Sequence, residues 1–164
     1  MFDLNTIGKY EVLNSKARKE IFKALDEQFC FSGSLDYAFL LSKKDKVLII
    51  NKDVDLINHE SLRVDALGLY FGKFYSDGFR LSIEGSQLIG SSCMCNVVEI
   101  SQEQKHSWLK GFDLEVSIKS GFIILKSGSD YLGCAKVKDF VAFNSVPKAR
   151  TLKNVNEEIE EEVL

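Results

Sequence analysis

The chain has 164 residues, of which 45% are hydrophobic and 27% charged. This balance supplies a buried core and excludes an intrinsically disordered chain. No apolar run exceeds four or five residues, so no segment predicts a transmembrane helix. The start, MFDLNT, has an acid at position 3 and no basic region, so it does not read as a signal peptide and we expect a cytoplasmic protein.

The net charge of −3 conceals an uneven distribution along the chain. Residues 1–95 are close to neutral, whereas residues 96–154 carry nine Lys and Arg against six Asp and Glu. The last ten residues, 155–164, carry five glutamates and no base. Because regional charge decides which partners a surface attracts, the basic segment outweighs the acidic total when binding is considered.

The first half predicts a helix and then a hairpin. Asn14 or Ser15 can cap the helix, and its apolar residues recur at four-residue steps: Ala17, Ile21, Leu25 and Phe29. The runs YAFLLS and VLIIN flank KKDK and predict two paired, largely buried strands. Residues 52–62 predict one or two helical turns.

Two further strands follow. LGLYFGKFY and FRLSIEG flank the turn Ser76-Asp77-Gly78. In the second of these strands Phe79, Leu81 and Ile83 alternate with polar residues, which indicates a sheet with one solvated face. The first half is therefore predicted to be α+β with an antiparallel sheet.

A small, polar stretch, IGSSCMCN, marks a boundary between residues 90 and 96. After it, Ser101 and Gln104 form a capping-box pattern, and Gly111 is placed to end the helix that they begin. We expect Trp108 and Leu109 on this helix to pack between the two halves. The runs FDLEVSI, GFIILK, YLGCAKV and FVAFNSV then predict four short strands of a small barrel.

The cysteines at positions 30, 93, 95 and 134 show no regular framework, and without a secretion signal we expect reduced thiols. Cys93-x-Cys95 could supply two thiolates to a zinc site, which needs four ligands. No second pair and no histidine follows at ligand spacing, so buried or inert thiols are favoured over a metal.

The sequence contains no G-x-S-x-G motif, its two near-matches to other catalytic motifs are incomplete, and nothing marks out a catalytic pair among its many carboxylates. GLYFGKF resembles a phosphate-binding loop but is one residue short, and Phe74 replaces the Ser or Thr that would hold magnesium. HESLR, from His59, begins like a zinc-protease helix but has no second histidine. His59 and His106 are most simply surface or capping residues. We therefore predict no enzyme, no cofactor and no metal.

The positive signal is a basic cluster within 28 residues, which contains only Asp130 and Asp139 as acids. Its members are Lys126, Lys136, Lys138, Lys148, Arg150 and Lys153. Lys136 and Lys138 share one strand face, and Lys148 and Arg150 repeat that spacing after Pro147, the only proline. Such side chains suit RNA phosphates. A solvated strand face that carries lysine to protect a sheet edge is an equally good interpretation.

The run FIILKSGSDYLGCAKVKDFVAFNSVPKAR resembles a PUA domain, the RNA-binding pseudo-barrel named for pseudouridine synthases and archaeosine transglycosylases. The resemblance lies in the strand FIILK, the glycine turn before Tyr131-Leu132-Gly133, the basic strand AKVK, and Asn144 followed by Pro147-Lys148-x-Arg150. The N-x-x-P-K ending is similar to the PUA-like tails of Sun-family RNA cytosine methyltransferases.

Residues 67–83 also resemble a known segment. LGLYFGKF, YSDG and FRLSI are similar to the L-G-x-x-F-G-K-F…F-R-L segment of the Nip-seven ribosome-biogenesis factors. Those proteins combine an α/β amino-terminal domain with a carboxy-terminal PUA domain. The resemblance implies an archaeal member of that family, with an α/β domain at residues 1–95, a PUA domain at 96–154 and an acidic tail at 155–164.

The family resemblance implies a non-catalytic RNA-binding protein that acts in ribosomal RNA processing or ribosome assembly. Carried onto matching positions, it predicts phosphate contacts by four cations: Lys136, Lys138, Lys148 and Arg150. Asn144 either holds the corner or reads a base edge, and Lys73 and Arg80 extend the RNA surface or contact a partner protein. Two other roles remain open: an RNA-targeting subunit of an RNA-modifying enzyme, such as a cytosine methyltransferase, and a protein-interaction adaptor.

Overall fold

The structure is a computed structural model that describes residues 6, 7, 9–56 and 66–153. Its strands form a six-stranded and a five-stranded sheet, joined by helices, so the predicted α+β class is confirmed. His59, part of the helical turns predicted over residues 52–62, and the acidic tail at 155–164 lie outside the described residues. A 3₁₀ turn, Lys52–Leu56, occupies the start of that predicted helical segment.

The first sheet is antiparallel and its strands are in chain order. They are β1 (Thr6–Ile7), β2 (Tyr10–Val12), β3 (Ala38–Leu41), β4 (Lys46–Ile50), β5 (Leu69–Tyr75) and β6 (Gly78–Leu81). Helix α1 (Ser15–Phe29) begins at the predicted cap, where the Asn14 side chain accepts a hydrogen bond from Ala17 N. Its apolar face packs on one face of this sheet, with Phe39, Val47 and Phe71 in the same core.

The strand predicted to run through Ile83 ends at Leu81. It is followed by helix α2 (Ile83–Ile89), which the alternation of polar and apolar residues did not indicate. Ser82 ends the strand because its hydroxyl accepts from Gly85 N at 2.8 Å and caps the helix. A Cβ on Gly85 would lie 2.3 Å from the Phe71 carbonyl oxygen, so α2 packs this closely on β5 only because position 85 is glycine.

The second sheet has the order β7-β9-β10-β11-β8. Its strands are β7 (Val97–Glu99), β8 (Leu114–Glu115), β9 (Ser120–Ser127), β10 (Asp130–Lys138) and β11 (Val141–Phe143). Four of them correspond to the four predicted runs. β7 is the exception, and it pairs parallel with β9 whereas the other pairings are antiparallel.

Helix α3 (Gln102–Leu109) carries the predicted capping box, with both Ser101 and Gln104 hydrogen bonds present. Gly111 follows the helix with a φ of +96°, as a helix-ending glycine does. The prediction that Trp108 packs between the halves is wrong. Trp108 is fully buried among residues of the second half, and its indole Nε1 donates to Leu132 O at 3.3 Å.

The two sheets share a hydrophobic core. Phe122, Ile124 and Cys134 of the second sheet belong to the same buried cluster as Phe71 and Phe79 of the first. The other face of the second sheet packs in a separate cluster around Trp108. The first sheet ends at Leu81 and the second begins at Val97, while the predicted division into residues 1–95 and 96–154 stays a prediction.

A disulfide bond joins Cys30, at the carboxyl end of α1, to Cys95, just before β7. This corrects the expectation of reduced thiols for two of the four cysteines. Only Cys93, half-buried, and Cys134, buried, are free. The pairing was hidden because 65 positions separate the two cysteines, and only the packing of α1 beside the start of β7 brings their Cα atoms to 5.4 Å.

Candidate nucleic-acid interface

A small cleft lies where the first sheet meets the carboxy-terminal segment of the second half. Its walls bring Tyr70 and Arg80 together with Ser145, Pro147 and Arg150, over the start of α2. The cleft holds about 90 Å³, whereas pockets that enclose drug-sized ligands hold roughly 300 Å³ or more. It can therefore receive a small polar group such as a phosphate, but it cannot enclose a whole nucleotide.

Arg150 reaches across this cleft. Its Nη1 donates to Glu84 Oε1 at 2.7 Å, so the guanidinium is an ion-pair partner of the first residues of α2. About half of the Arg150 side chain is exposed, which leaves its other donors available to solvent or to a ligand. The predicted RNA-binding arginine thus also connects the two halves.

Pro147 starts a 3₁₀ turn, Lys148–Arg150, with a φ of −57°. The chain therefore turns at Pro147, and the predicted strand-like spacing of Lys148 and Arg150 is wrong. Thr151 closes the turn, because its hydroxyl and its N–H both bond to Lys148 O. A 3₁₀ turn places successive side chains about a third of a turn apart, so the two cations point in different directions.

Asn144 holds the corner before Pro147. Its side-chain Nδ2 donates to Trp108 O at 2.8 Å and to Phe112 O at 3.0 Å, and its Oδ1 accepts from Val146 N. Both ends of the amide are therefore engaged within the protein. This is the structural one of the two roles considered for Asn144, and it ties the Pro147 corner to the end of α3.

Lys136 and Lys138 lie exposed on one face of β10, while Ala135 and Val137 are buried on the other, as the alternation predicts. Lys136 Nζ forms an ion pair with Asp77 Oδ2 at 2.5 Å, on the turn between β5 and β6. Lys136 lowers the pKa of the Asp77 carboxyl, mainly through this hydrogen bond. Within the described part of the chain, Lys138 has no carboxylate within ion-pair distance.

Lys126 lies apart from these cations. On β9, its Nζ is 3.5 Å from Glu99 Oε2 and 6.0 Å from the centre of the Tyr131 ring. Lys148 and Lys153 are exposed, and neither pairs with a carboxylate among the described residues. Among the described residues, the predicted cluster therefore divides into cations with a carboxylate partner, at 126, 136 and 150, and cations without one, at 138, 148 and 153.

Lys73 and Arg80 face each other directly on β5 and β6. Arg80 Nη2 donates to the Tyr75 hydroxyl at 2.7 Å, and its guanidinium lies 4.8 Å from the centre of that ring. Lys73 Nζ is 5.9 Å from the same ring and donates to Lys44 O. Burial raises the pKa of the neighbouring Tyr70 phenol.

The sequence interpretation missed four residues of this region. Tyr70 and Tyr75 were assigned only to a strand, although aromatic residues beside cations are a signal of nucleic-acid binding that the sequence already contains. Asp77 and Glu84 gave no signal, because their partners are distant in sequence. The Cys93-x-Cys95 pair, which was considered as zinc ligands and not favoured, is unavailable to zinc because Cys95 is in the disulfide. The described residues contain no cluster of three or more ligands suited to a metal.

A comparison with known protein families supports the prediction that the second half contains a PUA domain. Residues 95–152, about a third of the chain, match the family described as the methyltransferase RsmF PUA domain. The second sheet is a PUA-type pseudo-barrel. No curated protein gives a significant match to the chain. Among the described helices, none combines the length and apolar character needed to cross a membrane.

Proposed function

We propose that this protein binds RNA through its PUA-type half and has no catalytic activity of its own. The match of residues 95–152 to a PUA domain is the observation that carries the proposal. The exposed cations of that half support it, because Lys and Arg at a surface bind phosphates and release counterions. In this role the protein acts in the cytoplasm, in ribosomal RNA processing or ribosome assembly, as an archaeal relative of the Nip-seven factors.

The geometry favours contacts with the RNA backbone over base reading. Asn144, the one amide considered as a base reader, is engaged within the protein. Lys138 and Lys148 have no carboxylate partner in the described part of the chain, so no described acid competes with a phosphate for them. Backbone and shape recognition by such cations suits an A-form RNA helix.

A second function is favoured by the particular family matched. The family that residues 95–152 match is described as the PUA domain of the methyltransferase RsmF. The protein would then deliver RNA to a separate RNA-modifying enzyme. Adding the purified protein to an RNA cytosine methyltransferase and measuring its rate tests this role, since an accessory subunit raises the rate and an assembly factor leaves it unchanged.

RNA binding is tested by fluorescence anisotropy with a labelled hairpin RNA between 50 and 200 mM salt. We compare the wild type with Lys138→Ala/Lys148→Ala and with a control of equal charge loss, Lys16→Ala/Lys19→Ala, on the exposed side of α1. Each lost phosphate contact lowers the salt slope by about 0.9 for a duplex. We therefore expect a slope about 1.8 smaller for the first variant and an unchanged slope for the control.

Two outcomes contradict the proposal. A wild type that does not bind RNA removes the function itself and leaves the adaptor role, in which the surface contacts a protein. Equal slopes for the wild type and both variants would assign RNA binding to another surface. Circular dichroism of each variant confirms that the fold is retained.

A further inference from the structure

Three cations stand side by side on the first sheet, outside the PUA-type half. Lys46 on β4 is directly opposite Lys73 on β5, and Lys73 is directly opposite Arg80 on β6. Adjacent strands are about 4.8 Å apart, so the row extends about 10 Å across the sheet. Three neighbouring strands thus present positive charge at the same level.

The row lies on the sheet face opposite to α1. Val47 and Phe79, the sequence neighbours of Lys46 and Arg80, are buried in the core with α1, so strand alternation places the two cations on the other face. A bulge in β5 keeps Lys73 there. The pairing passes from Val47–Gly72 to Leu48–Tyr70, which leaves Phe71 unpaired and turned into the core.

Two tyrosines are interleaved with this row. Lys46 Nζ lies 5.0 Å from the centre of the Tyr70 ring, and the Arg80 guanidinium lies 4.8 Å from that of Tyr75. Tyr75 is 41% exposed, whereas Tyr70 is partly buried. Each ring therefore has a cation beside it, and Tyr75 presents aromatic surface that a nucleobase can stack on.

The row has no ion-pair partner within the described part of the chain. No carboxylate of the described residues pairs with Lys46, Lys73 or Arg80, although six other ion pairs form among those residues. Like charges directly opposite on adjacent strands are destabilising. A row of three such charges is consistent with a surface that an anionic ligand neutralises.

The positive surface continues beyond the row in both directions. At the β4 end, a pocket of about 300 Å³ is lined by Lys43, Lys44 and Lys46 together with Ser42. At the β6 end, Arg80 also lines the cleft that contains Arg150. The row thus connects a lysine-rich pocket to the interface of the PUA-type half.

Resting on the proposed RNA-binding function, we infer that this row and its two tyrosines form a second RNA-binding platform, which takes single-stranded RNA. The exposed ring of Tyr75, beside the partly buried Tyr70, selects unpaired bases, because bases in a duplex are already stacked on one another. The cations contact the phosphates between those bases. A single strand that leaves a helix held by the PUA-type half crosses Arg80 and continues toward Lys46.

The inference is tested with a labelled, unstructured 12-nucleotide RNA and with the same sequence in a duplex. Anisotropy titrations use the full chain and the variants Lys46→Ala/Lys73→Ala, Tyr75→Ala and Tyr75→Phe, with Lys16→Ala/Lys19→Ala as the control of equal charge. For the single strand, each lost phosphate contact lowers the salt slope by about 0.7. We therefore expect a decrease of about 1.4 for the double lysine variant and none for the control.

The tyrosine variants separate stacking from charge. Tyr75→Ala removes the ring, and we expect single-strand affinity to fall about 5- to 100-fold, the effect of losing one stacked base. Tyr75→Phe keeps the ring and should retain most of the affinity. Duplex binding should change little in all these variants, because the duplex contacts the PUA-type half.

The outcomes distinguish the two proposals. Single-strand binding that is equal in the wild type, the lysine variant and the control overturns the platform, while hairpin binding by the wild type leaves the proposed function intact. A wild type that binds neither RNA overturns both. A lysine variant that loses duplex and single-strand affinity equally also overturns the platform, since the row would then be part of one general phosphate surface. Lys46→Gln/Lys73→Gln provides a second variant if the alanine protein is unstable.

Discussion

Arg150 and Glu84 are 66 positions apart in the sequence, and their side chains meet at 2.7 Å across the cleft between the two halves. The arginine comes from the turn after Pro147 and the glutamate from the first turn of α2. The pair therefore closes one side of the proposed RNA interface. In the protein without RNA, Glu84 is bonded to the Arg150 guanidinium, so an RNA phosphate that binds this guanidinium has to compete with Glu84.

This competition predicts opposite effects for the two partners. Arg150→Ala should weaken hairpin RNA binding about 5- to 10-fold, the loss of one charge-assisted contact. Glu84→Gln should leave affinity unchanged or raise it at low salt, because the arginine remains and its competitor is neutral. Either substitution should cost no more than about 1 kcal/mol of unfolding free energy, since the pair is partly exposed. Equal losses of RNA affinity in both variants would mean that the pair only holds the halves together.

The ion pair between Lys136 and Asp77 predicts a pH dependence of stability. Lys136 lowers the pKa of Asp77 in the folded protein below its ordinary value of 3.8. A lowered pKa stabilises the fold above the unfolded-state pKa, and this contribution disappears as the pH falls through the folded-state pKa. The difference in unfolding free energy between the wild type and Lys136→Met should therefore be constant above about pH 5 and shrink toward pH 2.

Urea unfolding at a series of pH values measures this difference. Lys138→Met is the matched control, because this lysine lies on the same strand face and has no carboxylate partner among the described residues. A Lys136→Met difference that persists unchanged at pH 2 would show that the lysine stabilises the fold by packing and not by its charge.

The disulfide between Cys30 and Cys95 should contribute substantially to stability. Closing a loop of this length lowers the entropy of the unfolded chain by an amount worth about 4 kcal/mol. Cys30→Ser/Cys95→Ser should lower the unfolding free energy accordingly, and reductant should destabilise the wild type but not the variant. Thiol titration of the denatured protein should find two free thiols before reduction and four afterwards. Four thiols in the unreduced protein would contradict the bond.

The two remaining cysteines should be unreactive in the folded protein. Burial raises the pKa of Cys93 to about 11 and that of Cys134 to about 12. Because the thiolate is the nucleophile, only a small fraction of Cys93 is reactive at pH 8, and a smaller fraction of Cys134. Mass spectrometry after iodoacetamide treatment should show both unlabelled in buffer and labelled in urea. Rapid labelling of Cys134 in buffer would reveal local opening of the shared core.

Asn144 should prove to be a structural residue of the PUA-type half. Asn144→Ala removes three hydrogen bonds, of which two end on carbonyls near the end of α3. At about 1 kcal/mol each, the unfolding free energy should fall by about 1–3 kcal/mol. Fluorescence of Trp108, the only tryptophan, reports this unfolding directly. A base-reading role would instead leave stability intact and lower RNA affinity in a sequence-dependent manner.

Local signals in the sequence were sufficient for the elements that depend on local physics. The Asn14 cap, the capping box at Ser101 and the alternation around Lys136 each involve residues within four positions of one another. Helix α2 was not predicted for two reasons. Gly85 lowers the helix propensity of this segment, and Ser82, which caps the helix, also fits the alternation of polar and apolar residues in β6. Its glycine serves a contact with β5 that no local pattern contains.

Only part of the candidate nucleic-acid interface could be predicted, because its other features also depend on contacts that no local pattern contains. The exposure of Lys136, Lys138 and Lys148 follows from strand and turn patterns. The partners of Lys136 and Arg150, and the pairing of Cys30 with Cys95, depend on how the sheets pack. The alignment of Lys46, Lys73 and Arg80 depends on the register of three strands and on the bulge at Phe71. The register of paired strands is set by tertiary packing, and a slip of one residue moves every side chain of a strand to the other face of the sheet.

The core that the two sheets share has a consequence for avidity. Phe122 and Ile124 of the second sheet are buried with Phe71 and Phe79 of the first, so no flexible linker separates the two proposed RNA contacts. Once one contact forms, the other is already positioned, and the second binding event incurs little of the entropy loss that tethered modules suffer. An RNA that carries a helix next to an unpaired strand would thus be favoured over either part alone, by geometry that is established when the protein folds.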